Sequence, residues 1–171
     1  MILQNFLKTC FFLLFFCGCV SNFSEDTYTL DFVQEKKIQA SRKGEITQDN
    51  VPIITAIATH LNDVDNGTYH YHEYFLVEIF TQNQEWLNND YISYKLFGRK
   101  PIGVEPLWER EVNKEEFDGI LETTNKWSRA FLLAFPKLDY LAVKEAKLEL
   151  DAYNLGTIIF NFAYQVPLPQ F

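Results

Sequence analysis

Alternation of apolar and polar residues recurs along this chain and predicts strands rather than helices. The clearest case is residues 143–152 (VKEAKLELDA), where Ala146, Leu148, Leu150 and Ala152 share one face and Lys147, Glu149 and Asp151 the other. Helix propensity is also high there, but the period is two, and period outranks propensity. Residues 91–97 (YISYKLF) alternate in the same way, and residues 27–33 (TYTLDFV) predict the first strand. Residues 36–42 (KKIQASR) predict an edge segment, where lysines discourage further strand addition. The polar stretch 44–50 reads as a loop.

The apolar run 53–61 (IITAIATHL) lacks alternation and predicts a strand buried on both faces. The aromatic run 69–81 (YHYHEYFLVEIFT) is its returning partner, and these two strands are expected at the centre of the sheet system. Asn66-Gly67 between them supplies the residues of a two-residue type I′ hairpin. Residues 82–90 form a polar loop around Trp86, and 98–101 (GRKP) turn the chain. Pro106 confines residues 102–108 to an edge or an irregular segment. Residues 128–135 and 157–166 predict further strands, stopped by Pro136 and by Pro167 and Pro169, with Asn154-Leu155-Gly156 as the last hairpin turn. The one helical stretch is 114–122, where Asn113 caps and Glu116 completes a capping box; with Gly119 in its middle it predicts a turn or two crossing between sheets.

Eight or nine short strands with turn signals about 8–12 residues apart define an all-β chain. The leading architecture is an immunoglobulin-like β-sandwich with one short helix. The long connection at 113–127 suits a Greek key, and a barrel with a ligand cavity is the second architecture.

The first nineteen residues follow a different pattern. Lys8 and the initiating amine give a basic start, and residues 10–17 are an unbroken apolar run. That length matches the core of a secretory signal and falls short of a bilayer span. The run ends in Phe16-Cys17-Gly18-Cys19, which resembles the lipobox of bacterial lipoproteins. Phe16 stands where Leu is usual in that motif, and Cys17 where Ala or Ser is usual. The resemblance implies cleavage between Gly18 and Cys19, with lipid on the Cys19 thiol and on its new amine. Two or more acyl chains anchor stably. Val20 follows where an Asp is the inner-membrane retention signal, which leans placement toward the outer membrane by analogy. The implied division is a signal peptide over 1–18, a lipidated Cys and tether over 19–26, and one domain over 27–171. A lipobox followed by a single such domain resembles the small immunoglobulin-like lipoproteins of Gram-negative bacteria.

Composition narrows the chemistry. All three cysteines lie at positions 10, 17 and 19, so the domain has no internal disulfide, thiolate metal site or cysteine nucleophile. Loss of Lys8 with the signal takes the formal charge from −8 to −9. An acidic chain without a basic block is a poor fit to nucleic acid or to anionic lipid.

If Asn66-Gly67 is a two-residue turn, Asp63, Asp65, His70 and His72 share one face near its tip while His60 points away. Two imidazoles and two carboxylates are a donor set for Zn²⁺ or Cu²⁺. The competing reading is a solvated hairpin tip. Residues 63–67 also approach a calcium loop, but Tyr74 stands where that loop needs Glu. No nucleophile elbow or phosphate loop appears, and the carboxylate pairs Glu115-Glu116 and Glu109/Glu111 read as a solvated face, so no catalytic residue is assigned. Trp86 and Trp108 fall in predicted loop or edge regions, where aromatic anchors serve as binding hot spots. The expectation is a non-enzymatic, lipid-anchored envelope protein that binds a protein partner, in envelope assembly or as an adhesin-like module. No cofactor is expected beyond the lipid. The alternative is a small-ligand or metal-binding periplasmic lipoprotein.

Overall fold

A computed structural model describes residues 32–87, 91–98, 101–116, 119–123, 125–139, 143 and 145–163. The signal stretch with its lipobox and Cys19, residues 27–31, the turn residues Arg99 and Lys100, and the last segment with Pro167 and Pro169 lie outside them. In chain order the elements are α1 (Phe32–Gln39), β1 (Ser41–Gln48), β2 (Val51–His60), the short α2 (Leu61–Val64), β3 (Glu73–Thr81), β4 (Ile92–Phe97), β5 (Trp108–Glu111), β6 (Arg129–Phe135), β7 (Glu145–Ala152) and β8 (Gly156–Ala163). Single 3₁₀ turns cover Gln84–Leu87, Lys114–Glu116 and Gly119–Leu121.

The chain is mostly β, as its alternation predicts. One antiparallel sheet has the order β1-β2-β3-β6-β5, the other β4-β7-β8. Their facing side chains form one core: Ile54, Phe75, Val77, Leu133 and Phe135 from the first sheet meet Leu96, Leu148, Leu150 and Phe160 from the second. β7 buries Ala146, Leu148, Leu150 and Ala152, the face expected from the two-residue period. The β7–β8 hairpin turns at Tyr153–Leu155, with Asn154 at φ 61° and Gly156 at φ 142°.

Several local expectations are corrected. Phe32 and Val33, expected in a first strand, begin helix α1. Its sequence is rich in Gln, Glu and Lys, good helix formers. Ser41 Oγ donates to the Lys37 carbonyl at 2.6 Å and so satisfies one of the last helical acceptors. The edge segment expected at 36–42 is therefore split between α1 and β1. Residues 44–48, expected in a loop, are strand. They read as polar because β1 is an edge strand that sends few side chains inward.

The type I′ turn exists, but at Asp49-Asn50. Both have positive φ (52° and 64°), and Gln48 pairs with Val51. Asn66-Gly67 does not close a hairpin. β2 and β3 are joined by α2 and a loop in which Asp65 Oδ1 accepts from the backbone N–H of Gly67 (3.0 Å) and Thr68 (3.3 Å). That Asx turn uses the same residue types for a different geometry. The returning strand is accordingly shorter than 69–81. Asn113 and Glu116 do form half the capping box, the Asn113 N–H donating to Glu116 Oε1 at 3.1 Å. Residues 117–118 lie outside the described residues; among the described ones the stretch shows only single 3₁₀ turns at Lys114–Glu116 and Gly119–Leu121, with Gly119 at φ 43°. The segment links β5 to β6, neighbours in one sheet, rather than crossing between sheets.

A second, smaller apolar cluster covers the outer face of the larger sheet. Leu61, Leu76, Val112, Ala130 and Leu132 are buried there, with Tyr69, Tyr74, Ile120 and Leu121 packed against them. Among the described residues no helix is long and apolar enough to cross a membrane.

Candidate interaction surface

Tyr74 of β3 and Trp108 of β5 both pair with Ala134 of β6, one from each side. They therefore stand on the same, outer face of the larger sheet. The small alanine between them lets the rings approach to 6.1 Å between centroids. Tyr69 lies edge-on to Tyr74 at 5.4 Å and His72 at 5.7 Å, so the loop after α2 adds two more rings. This four-ring surface rests on the outer apolar cluster. Trp108 remains 40% exposed, and Ile102, Val104 and Leu107 continue the apolar run along the segment that leads into β5. That segment is held by paired bonds between Val104 and Leu96 (2.8 and 2.9 Å) and by the Leu107 N–H to the Ala134 carbonyl (2.7 Å).

The charges around this surface are largely matched. Arg110 pairs with Glu116 at 2.8 Å and Arg129 grips Glu111 through two bonds of 2.6 and 2.7 Å. The Arg129 hydrogen bonds hold the Glu111 carboxyl below its usual range. Glu109 is different: partial burial pushes its carboxyl up, and among the described residues no cation contacts it.

At the other end of the aromatic loop sits His60, only 1% exposed. Its Nδ1 is 2.8 Å from Asp63 Oδ2 and its Nε2 3.0 Å from Glu73 Oε2. The other oxygen of Glu73, itself fully buried, accepts from the Leu138 N–H at 3.0 Å. Phe75 and Phe162 flank the ring at 4.9 and 5.9 Å. Burial pushes the imidazole toward its neutral form, but hydrogen bonds and charge from Asp63 and Glu73 outweigh it and hold the pKa above the ordinary value. Both nitrogens are spent on carboxylates. The arrangement therefore clamps α2 and the loop to β2 and β3.

A buried lysine marks the opposite side of the outer face. Lys37 of α1 donates to the Glu122 carbonyl and lies 4.0 Å from Glu78 of β3. Burial lowers its pKa, against the raising effect of Glu78 and Glu122.

The residues singled out by sequence are dispersed. Asp63 holds His60, and Asp65 caps its own turn. His70 Nδ1 donates to the Gly67 carbonyl at 2.9 Å, and His72 packs on Tyr74. The register that was to place these four on one face does not form, because Asn66-Gly67 is not the hairpin turn. Among the described residues no group of three or more His, Cys, Asp or Glu is arranged to hold a metal ion. Trp86 is half-buried against the main core, whereas Trp108 is on the aromatic surface. Sequence reasoning set His60 aside and overlooked Tyr69, Tyr74 and Glu73. The density of rings in YHYHEYF was the available signal. No protein-family model, no curated protein and no solved structure matches this chain.

Proposed function

We propose that this chain is a lipid-anchored envelope protein whose non-catalytic, immunoglobulin-like domain binds a protein partner through Tyr69, His72, Tyr74 and Trp108. The observation that carries the reading is the four-ring surface, with exposed Ile102, Val104 and Leu107 on the segment that leads into β5. Tyrosine and tryptophan bring large contact area at low entropic cost, which is why they dominate binding hot spots. A rigid sheet under the rings keeps them preorganised. Anchoring rests on the Phe16-Cys17-Gly18-Cys19 motif, and a stable anchor would bring the domain to its partner at high local concentration.

The test is in-cell cross-linking of the tagged full chain followed by mass spectrometry. One reproducible envelope partner is expected. Its capture falls about 30-fold or more in Trp108→Ala or Tyr74→Ala, as for a hot spot near 2 kcal/mol. It is also lost in Cys19→Ser. Capture indifferent to all three substitutions would overturn the reading.

A further inference from the structure

The two sheets meet along two seams, and the seams differ. At the first, β1 lies against β8. Gly44 has no side chain because a Cβ there would stand 2.2 Å from Ile158 Cγ2, and Arg42 Nε donates to the Asn161 carbonyl at 3.1 Å. That seam is closed by direct contact. At the second, β4 and β5 are the terminal strands of their sheets. Among the described residues β5 pairs only with β6, and the free side of β4 carries only the Leu96–Val104 bridge. Between them lies a cleft of about 390 Å³, lined by Tyr94, Lys95, Glu105, Trp108 and Glu109 among others.

The backbone of β5 faces this cleft in a defined phase. The Val112 N–H bonds to the Ala130 carbonyl, and Arg110 and Trp108 follow it at two-residue intervals along the ladder to β6. Antiparallel pairing alternates, so the N–H and C=O of Glu109 and the N–H of Glu111 turn to the free edge, where the Glu111 carbonyl accepts from Arg110 Nη1 at 3.5 Å. The charges are also defined. Arg110 and Glu111 are neutralised within the domain by Glu116 and Arg129. Glu105 and Glu109 have no cation against them among the described residues, and Lys95 across the cleft leaves an excess of one negative charge. Partial burial makes the Glu109 carboxylate costly until a cation meets it. The same acids disfavour a second copy, since joining two β5 edges brings carboxylates of both copies together.

We infer that this open seam accepts an extended segment of a partner protein, which adds to β5 as a further strand with basic side chains opposite Glu105 and Glu109 and apolar ones against Trp108 and Leu107. The inference rests on the partner-binding reading above and names the mode of that binding. Strand addition takes its affinity from main-chain hydrogen bonds and its selectivity from alternate side chains. Four residues of β5 set the length of the inserted strand at about 13 Å at ~3.3 Å per residue.

The test uses the full chain in lipid nanodiscs and ten-residue peptides alternating Val with Lys, Thr or Glu. The Val/Lys peptide is expected to bind best and to slow amide exchange at Glu109 and Glu111. Methylating alternate peptide nitrogens, in each of the two phases, should abolish binding in one phase only. Glu105→Gln with Glu109→Gln should weaken the Val/Lys peptide by about fivefold, as one partly exposed ion pair is worth up to ~1 kcal/mol. The proposal is overturned if no peptide binds, if N-methylation in both phases is without effect, or if protection appears elsewhere. It is also overturned if a partner captured in cells cross-links at Tyr69 and Tyr74 while every peptide fails, an outcome that leaves the partner-binding reading intact. Peptide binding at β5 with no partner captured in cells overturns that reading and leaves the seam as a strand acceptor.

Discussion

The residue that most constrains the loop is His60, held between one exposed and one buried carboxylate. Its folded pKa lies above the unfolded value near 6.5, so the protonated ring stabilises the fold. That contribution is complete below about pH 6.5 and is lost as pH rises through the higher folded pKa. Urea midpoints measured between about pH 6 and 9 should fall with pH in the native chain and stay flatter in His60→Gln. His60→Ala leaves Glu73 buried without its imidazole and should cost about 3 kcal/mol or more, read from the same curves at low pH. Gly44 is the second residue with a defined penalty. Gly44→Ala drives a methyl into Ile158 and should cost about 1–3 kcal/mol. In a cycle with Ile158→Ala the two changes should couple by about 1 kcal/mol, because the second opens the space the first needs. Additivity in that cycle would mean the seam adjusts by other movements.

At the scale of elements, the strongly periodic stretches were legible and the polar ones were not. β4, β7 and β8 each bury one face in a common core, and β6, which ends at Phe135 before Pro136, buries both of its faces. β1 escaped notice because an edge strand has a polar outer face and only Ile46 among its large side chains is buried. The first hairpin turn was misplaced for a related reason. Asp49-Asn50 and Asn66-Gly67 are both competent for positive φ, and the choice between them depends on which flanking segments pair. The Asx turn at Asp65 won at the second site. Asn50→Val should therefore cost about 1–2 kcal/mol, the penalty of a β-branched residue in the left-handed region. Gly67→Ala, where φ is not positive and the nearest atom is the end of the Asp65 side chain, should change the thermal midpoint little. The helix α1 was invisible for a third reason: its residues 32–39 carry no clear apolar face, and its place comes from Lys37 reaching Glu122 and Glu78 across 85 and 41 residues of chain.

For the whole molecule, the consequence of two unlike seams is that close packing and exposed apolar and acidic surface separate in space. The main core and the β1/β8 seam carry packing, while the β4/β5 side carries the exposed Trp108 ring, exposed apolar side chains and two carboxylates, Glu105 and Glu109, without a cation against them among the described residues. Trp108→Ala should consequently cost less than about 1 kcal/mol of unfolding free energy while removing partner capture. A loss of several kcal/mol in that variant would assign the ring to stability instead. Sequence alone determined the mostly β character, the alternating faces of β4 and β7, the last hairpin and the absence of cysteine chemistry from residues 27–171, because period, proline and residue identity act locally. Only the tertiary structure decided which of two turn-competent pairs closes a hairpin, which carboxylates meet His60, and which aromatic residues converge. Those outcomes depend on strand order and register, and the juxtaposition of Tyr74 and Trp108 across Ala134 exists only once β3, β6 and β5 lie side by side.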